Sequence, residues 1–171
     1  LGLKKLVAAC FKEGTQGRAN STEGERGFYV TYSGEDGEKS KFLEQNITYF
    51  QGDGDFRSQE SVELLNQSDV VVTNPPFSLF REYVDQLVEH GKEFLVIGNV
   101  NAITYKEIFK LIQDNVAWLG INLGRGISGF IVPDHYELYG TETRIDADQN
   151  RIVSPNNCLW LTNLDHSQRH V

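Results

Sequence analysis

A pair of prolines follows a run of β-branched residues in the middle of the chain and limits how this region can fold. Residues 70–72 are three consecutive valines, typical of a buried parallel strand, and we predict a strand over residues 69–73. Pro75 and Pro76 cannot donate to a β-ladder, so the strand must end before them. Each proline also keeps the residue before it extended. Residues 78–90 have helical periodicity, so a helix is predicted directly after the prolines. The sequence therefore predicts a rigid, exposed corner between the strand and the helix.

The rest of the chain alternates between apolar runs and amphipathic segments. We predict helices over residues 58–65 and 104–113, and strands over residues 5–11, 27–32, 47–50, 93–98 and 116–120, with 5–11 and 93–98 buried. Strand, helix and strand in succession predict βαβ units and a parallel sheet. After Gly120, the apolar run at 130–132 stops at Pro133, and residues 157–162 alternate like an antiparallel strand. The predicted fold class is therefore α/β, with a mixed sheet that has a parallel core and an antiparallel edge.

Composition narrows the class of protein. A chain of 171 residues suits one domain, and no apolar run approaches the roughly 20 residues that span a membrane. Its two cysteines lack metal-type spacing, which favours a reduced, cytoplasmic location, and no metal site is predicted. The net charge of −8 argues against a broad nucleic-acid-binding face. The arginines at 57, 81, 125 and 144 have two equally supported interpretations, as local contacts to phosphates or as ordinary surface residues.

The predicted corner offers groups that suit a planar ligand bearing an amine. The side-chain oxygen of Asn74 and the carbonyl of Pro75 can accept the two N–H groups of an exocyclic amine. Such acceptors favour a more tetrahedral nitrogen with an available lone pair, which is an electrostatic effect on the transition state. Phe77 can stack on the ring of a base that has left the duplex. A plain turn remains the alternative.

Several segments together resemble one protein family. The Asn-Pro-Pro-Phe sequence at 74–77 is similar to the motif of amino-methyltransferases, and residues 52–58, 71–83, 97–99, 102–109 and 160–166 extend the likeness. Strung together, they resemble the EcoRI-type adenine-specific DNA methyltransferases. The resemblance implies a three-layer Rossmann-like fold and transfer of a methyl group from S-adenosylmethionine (SAM) to adenine N6 in DNA, in a restriction-modification system or a mobile element. The target adenine would be flipped out of the duplex.

The resemblance also implies roles for individual residues. Asn74 and Pro75 would bind the target amine, Pro76 would set the backbone, and Phe77 would stack on the base. Asp55 would accept from the amine of the cofactor's adenine and Phe56 would pack beside that ring. The remaining expected cofactor-binding residues are Asp53, Leu79 and Phe80. For Asp53 and Asp55 the alternative is a turn that caps the next helix.

The chain departs from the family pattern at its start. The cofactor loop of the family would lie upstream of Leu1, so we expect one partial catalytic domain over 1–171 that lacks its N-terminal segment. The G-x-G-x-x-G match at 124–129 has no helix after it and is a poor candidate to replace that loop. Residues 121–157 are a possible DNA-contacting insertion.

Three functions therefore remain open. The first is an adenine N6-methyltransferase. The second is a non-catalytic relative that binds DNA or a partner, and the third is a methyltransferase that acts on cytosine N4 or on protein glutamine. The sequence leaves the oligomeric state undetermined.

Overall fold

A computed structural model describes residues 4–12, 26–33, 46–121, 129–137, 143–154, 157–167 and 169. The chain divides into two compact units, Leu1–Gln67 and Ser68–Val171, and each is described by itself. The expectation of one domain over 1–171 stays a prediction. Most of the glycine-containing loop at 124–129 lies outside the described residues.

The first unit contains a three-stranded antiparallel sheet and one helix. Its strands are β1 (Leu6–Cys10), β2 (Phe28–Tyr32) and β3 (Ile47–Tyr49), which lie in that order in the sheet. The three strands were predicted, and this sheet is antiparallel throughout. The interpretation of residues 5–11 as a buried strand is wrong, since Leu6 is 49% exposed and most of β1 is also exposed.

The helix of the first unit has the predicted cap. Helix α1 spans Gln59–Asn66, and the Ser58 side chain accepts a hydrogen bond from the Ser61 backbone N–H at 3.2 Å. Ser58 thereby satisfies one of the donors that a helix leaves unpaired at its start. The cap fixes where the loop before it ends.

The second unit is built on a four-stranded mixed sheet. It contains β4 (Val70–Thr73), β5 (Glu93–Asn99), β6 (Trp118–Leu119) and β10 (Cys158–Thr162), in the order β4-β5-β10-β6. Strands β4 and β5 are parallel, and β10 is antiparallel to both of its neighbours. The mixed sheet is therefore confirmed, whereas the antiparallel edge is wrong for β10, which lies inside the sheet.

Strand β10 occupies an interior position because of its sequence and its polar end. Leu159 and Leu161 alternate toward the core and are 5% and 0% exposed. At its carboxyl end the Thr162 hydroxyl donates to the Phe94 carbonyl at 2.6 Å. Asn163 then accepts from the Phe94 N–H at 2.7 Å and donates to the Lys92 carbonyl at 2.9 Å. These bonds join β10 to the start of β5.

Strand β4 is more exposed than its sequence suggested. Val70 is 42% exposed and Val72 is 66% exposed, so the prediction of a buried strand is wrong. Alternate residues of a strand face opposite sides of its sheet, and Val71 and Thr73 are the half-buried ones. Among the described residues β4 pairs only with β5, so its other edge is unpaired there, and the face that carries Val70 and Val72 is exposed.

Two helices of this unit bury apolar side chains, and the first of them contacts β5. Helix α2 (Phe80–Glu89) buries Phe80, Val84 and Leu87, and helix α3 (Lys106–Gln113) buries Ile108. Both were predicted, but each is preceded by a 3₁₀ segment, Phe77–Leu79 and Val100–Thr104 respectively. The buried Phe94, Val96 and Leu161 of the sheet complete the core.

A small antiparallel sheet lies within the predicted insertion at 121–157. It consists of β7 (Phe130–Ile131), β8 (Thr143–Ile145) and β9 (Arg151–Val153), in the order β7-β9-β8. Only β7 was predicted, because β8 and β9 are short and each contains an arginine, so neither forms an apolar run. In the part of the chain that the structure covers, no helix is long and apolar enough to cross a membrane.

We expect Asn163→Ala to lower the free energy of unfolding by about 1–3 kcal/mol, because it removes a partner from the Phe94 N–H and the Lys92 carbonyl. Urea denaturation followed by circular dichroism measures the change. The control is Gln113→Ala, an exposed position at the end of α3, which should change stability by less than about 0.5 kcal/mol. Equal effects of the two substitutions would contradict this role for Asn163.

Candidate active site

The corner after β4 has the geometry that the prolines require. The parallel register places Thr73 opposite Val96, and the chain leaves the sheet directly after Thr73. Pro75 is buried, whereas Asn74 and Pro76 are exposed. Pro76 is extended, with φ −55° and ψ 128°, and the 3₁₀ segment begins at the next residue. The corner therefore anchors one proline inward and turns the side chain of Asn74 to the surface.

The corner keeps two acceptors available. The Leu79 N–H donates to the Pro76 carbonyl at 3.0 Å, so that carbonyl serves the turn. Neither the Asn74 side chain nor the Pro75 carbonyl has a hydrogen-bond partner among the residues that the structure describes. Phe77 is 40% exposed, so its ring is accessible to a ligand. An amide oxygen, a carbonyl oxygen and an aromatic ring are thus presented within four residues.

Close packing against β5 supports the corner from beneath. Phe80 is 1% exposed, and a Cβ placed on Gly98 would lie 2.6 Å from its ring. Only glycine at 98 leaves room for that ring, which brings the start of α2 against the sheet. The structure thus places Phe80 in the core and Leu79 at a half-buried position. Their expected contact with a cofactor stays a prediction.

In the first unit, the loop that follows β3 is held by backbone hydrogen bonds. The Lys12 N–H donates to the Asp53 carbonyl at 2.9 Å, and the Gly27 N–H donates to the Gly52 carbonyl at 3.1 Å. The Phe50 N–H in turn donates to the Gly27 carbonyl at 2.9 Å. A Cβ on Gly27 would lie 2.3 Å from the Asp53 carbonyl oxygen, so the two segments touch through bare backbone.

Asp53 is a buried member of this loop. It is 7% exposed, and its Oδ1 accepts from the Asp55 N–H at 3.0 Å. Its Oδ2 is buried and has no hydrogen-bond partner among the residues that the structure describes. Leaving a buried carboxylate oxygen without a partner costs free energy, so this group needs an explanation. The turn interpretation therefore accounts for one oxygen of Asp53 and leaves the other unexplained.

The carboxylate of Asp55 is held by hydrogen bonds from Arg57. The Arg57 guanidinium donates to both carboxylate oxygens, from Nε to Oδ1 at 2.9 Å and from Nη2 to Oδ2 at 2.6 Å. The Arg57 backbone N–H also donates to Oδ1 at 2.9 Å. The side-chain bonds from Arg57 lower the pKa of Asp55, with smaller contributions from that backbone N–H and from the charge of Arg57, while partial burial opposes them. Asp55 is therefore held as a carboxylate.

Phe56 lies between these two residues in sequence and is half-buried. The carbon of the Arg57 guanidinium lies 5.3 Å from the centroid of its ring. Sequence reasoning left Arg57 among possible phosphate contacts and missed this role. The available signal was the spacing, because an arginine two residues after an aspartate in a turn can reach back to the carboxylate.

The structure thus forms two clusters from the predicted residues. Asn74, Pro75, Pro76 and Phe77 make the corner in the second unit, while Asp53, Asp55 and Phe56 make the loop in the first. Within the described ranges, no group of three or more His, Cys, Asp or Glu side chains has the arrangement to hold a metal ion.

The family model described as "Adenine-specific methyltransferase EcoRI" matches residues 1–171, so the chain belongs to the EcoRI-type adenine-specific methyltransferase family. The resemblance stated from the sequence is confirmed.

Curated relatives agree with this assignment. The chain is 62% identical over 170 residues to the Type II methyltransferase M.EcoRI of Escherichia coli, covering 99% of this chain and 52% of that protein. It is 37% identical over 171 residues to the Type II methyltransferase M.MpnI of Mycoplasma pneumoniae, covering 99% of this chain and 48% of the relative. The chain therefore spans about half the length of these relatives. No solved structure matches it.

Two glycines of the Asp53 loop should respond differently to substitution. Gly54 has φ +79°, and a Cβ there would lie 3.0 Å from the Phe50 ring, whereas a Cβ on Gly52 meets nothing within 4 Å. We expect Gly54→Ala to cost about 1–2 kcal/mol of stability, from the left-handed conformation alone. Gly52→Ala should stay within about 0.5 kcal/mol. Thermal and urea unfolding of the two variants make the comparison, and a larger loss for Gly52→Ala would contradict it.

Proposed function

We propose that this chain carries the target-binding part of a SAM-dependent DNA adenine N6-methyltransferase. The observation that carries the proposal is the exposed corner, with two available acceptors and an exposed phenylalanine directly after a parallel strand. Ligands of open α/β sheets bind at the carboxyl ends of strands, where this corner lies. Membership of the adenine-specific family supports adenine as the acceptor.

The acceptors of the corner suit the chemistry of an aromatic amine. The lone pair of such a nitrogen is delocalised into the ring, which makes the amine a poor nucleophile. In the proposal, Asn74 Oδ1 and the Pro75 carbonyl accept its two N–H bonds and stabilise the pyramidal nitrogen that develops during attack. Because both acceptors are fixed by the strand end and the prolines, they need little reorganisation when the target binds. Pro76 contributes by keeping Pro75 extended.

Phe77 would hold the target base. An adenine inside a duplex cannot reach a corner on a protein surface, so the base must be flipped out. The exposed ring of Phe77 offers a face for stacking, which typically contributes about 1–3 kcal/mol per base. The orientation of the stacked base would then be set by its hydrogen bonds to Asn74 Oδ1 and the Pro75 carbonyl.

The Asp53 loop fits the adenosine part of the cofactor. Asp55 is an ionised acceptor, Phe56 is a half-buried aromatic ring beside it, and Asp53 has a buried oxygen without a partner in the described part of the chain. When bound, SAM supplies the electrophilic methyl group. The chain's own contribution would be to hold its adenine through Asp55 and Phe56, with Asp53 shaping the loop. Contact of Leu79 and Phe80 with the cofactor remains a prediction; in the second unit Leu79 is half-buried and Phe80 lies in the core.

The proposed architecture is the three-layer Rossmann-like fold of SAM-dependent methyltransferases. The parallel β4–β5 pair, the antiparallel β10 between β5 and β6, and the two helices on this sheet support it. A cytoplasmic location and a DNA-contacting role for residues 121–157 remain predictions. Because the chain is acidic overall, phosphate contacts must come from a local basic strip or from other parts of the enzyme.

Methyl transfer by the intact protein tests the function. We expect the unsubstituted protein to transfer the methyl group of labelled SAM to duplex DNA and to yield N6-methyladenine on nucleoside analysis. Asn74→Ala should lower kcat about 10²–10³-fold, because it removes a hydrogen bond that stabilises the transition state.

Phe77→Ala should act mainly on binding of DNA, raising KM by about 5–100-fold through lost stacking. Phe109→Ala is the matched control, since Phe109 is a 55% exposed phenylalanine outside the corner, and its activity should be unchanged. Unchanged activity in both corner variants would overturn the assigned roles. N4-methylcytosine or methylated glutamine as the product would replace adenine as the acceptor, and DNA binding without transfer would identify a non-catalytic relative.

A further inference from the structure

Arg57 is the only donor that the described residues offer to the Asp55 carboxylate, and it makes three hydrogen bonds to it. Two of these bonds go to Oδ1 and one goes to Oδ2. Since a carboxylate has about four acceptor positions, two on each oxygen, Oδ1 is fully used and one position remains on Oδ2. The open position of Asp55 is therefore confined to a single atom.

The ion pair also sets the local charge. The side chain of Asp55 is 15% exposed, whereas that of Arg57 is 44% exposed, so the carboxylate is the covered partner and the guanidinium faces solvent. The two opposite charges are in contact, with Arg57 Nη2 2.6 Å from Asp55 Oδ2. A ligand atom at the remaining position of Oδ2 meets a good hydrogen-bond acceptor whose own charge is offset by Arg57.

We propose that Arg57 is a positioning residue that restricts Asp55 to one hydrogen bond from a neutral amine, the 6-amino group of the cofactor's adenine. The inference rests on the proposed function, in which Asp55 and Phe56 hold that adenine. It adds the residue that selects the adenine end over the other polar groups of the same molecule.

The geometry disfavours those other groups. A ribose diol binds a carboxylate best through two hydroxyls, one to each oxygen, and Oδ1 has no position left for the second hydroxyl. The ammonium group of the cofactor's amino-acid end gains little from a carboxylate that a guanidinium already neutralises, and it would be repelled by that guanidinium. A neutral N–H donor satisfies the single position without either penalty.

The same guanidinium is linked to the aromatic residue of the loop. Its central carbon lies 5.3 Å from the ring centroid of Phe56, within the range of a cation–π contact. Arg57 therefore fixes the edge that would bind the amine and also the ring that would pack beside the adenine. Loss of the guanidinium should therefore disturb both the hydrogen bond to the amine and the packing of Phe56 against the adenine ring.

The test compares two ligands that differ at the amine. Calorimetry on the intact protein measures binding of S-adenosylhomocysteine and of S-inosylhomocysteine, in which a carbonyl replaces the 6-amino group. We expect the unsubstituted protein to prefer the adenine compound by about tenfold or more, as for a hydrogen bond to a charged group. Arg57→Met should weaken binding of that compound about tenfold and remove most of the preference.

Arg57→Lys separates charge from geometry. A lysine keeps the positive charge but cannot make the paired hydrogen bonds of the guanidinium. We expect it to preserve folding and still to lose most of the preference for the amine. This variant keeps the test decisive if Arg57→Met does not fold, as checked by its denaturation midpoint.

The pH dependence gives a readout that a purely structural role would not change. Asp55 accepts the amine as a carboxylate, so binding is lost as pH falls through its pKa, which Arg57 holds below the usual value. Removing Arg57 raises that pKa toward its ordinary value. The acid limb of the binding profile should therefore move to higher pH in Arg57→Met.

Arg81→Met is the matched control. Arg81 also pairs with a carboxylate, Glu107 at 3.9 Å, and also lies over an aromatic ring, Tyr105 at 5.2 Å. It should leave affinity, ligand preference and the acid limb unchanged, and an equal loss there would overturn the inference. Unchanged preference and acid limb in both Arg57 variants would overturn the inference alone. Absence of binding and methyl transfer in the unsubstituted protein would overturn the proposed function with it.

Discussion

The pairing of β5 with strands on both of its sides is the constraint on which the second unit depends. Strand β5 is parallel to β4 and antiparallel to β10, and Thr162 and Asn163 fix this second pairing with side-chain hydrogen bonds to Lys92 and Phe94. Because the register of β4 follows from β5, the point at which the chain leaves the sheet is also fixed. The corner at Asn74 therefore owes its position to contacts made at the opposite end of the strand.

The sequence predicted those features that depend on local chemistry. Two prolines determined where β4 ends, Ser58 determined where α1 begins, and apolar periodicity located α2 and α3. Each of these signals acts through backbone geometry or through neighbours a few residues away. The corner and its exposed groups were predictable for the same reason.

Features that depend on distant partners were not predictable from these patterns. Strand β10 is interior because it pairs with β6 as well as with β5, and β6 is only two residues long. The sequence pattern of a strand does not report which other strands become its neighbours. The exposure of β1 and β4 depends on what covers a strand, and a run of valines does not report it. In the loop, the aspartates were expected, but the hold of Arg57 on Asp55 depends on a side-chain conformation that the sequence leaves open.

The prolines of the corner also affect the unfolded chain. Each proline restricts its own φ angle and the conformation of the residue before it whether or not the protein is folded. The segment from Asn74 to Pro76 consequently has fewer conformations to lose on folding than most exposed turns have. A surface site needs exposed polar groups, which contribute little packing energy. Here the low conformational entropy of the unfolded segment compensates in part, so that exposure of the site and order of its backbone are compatible.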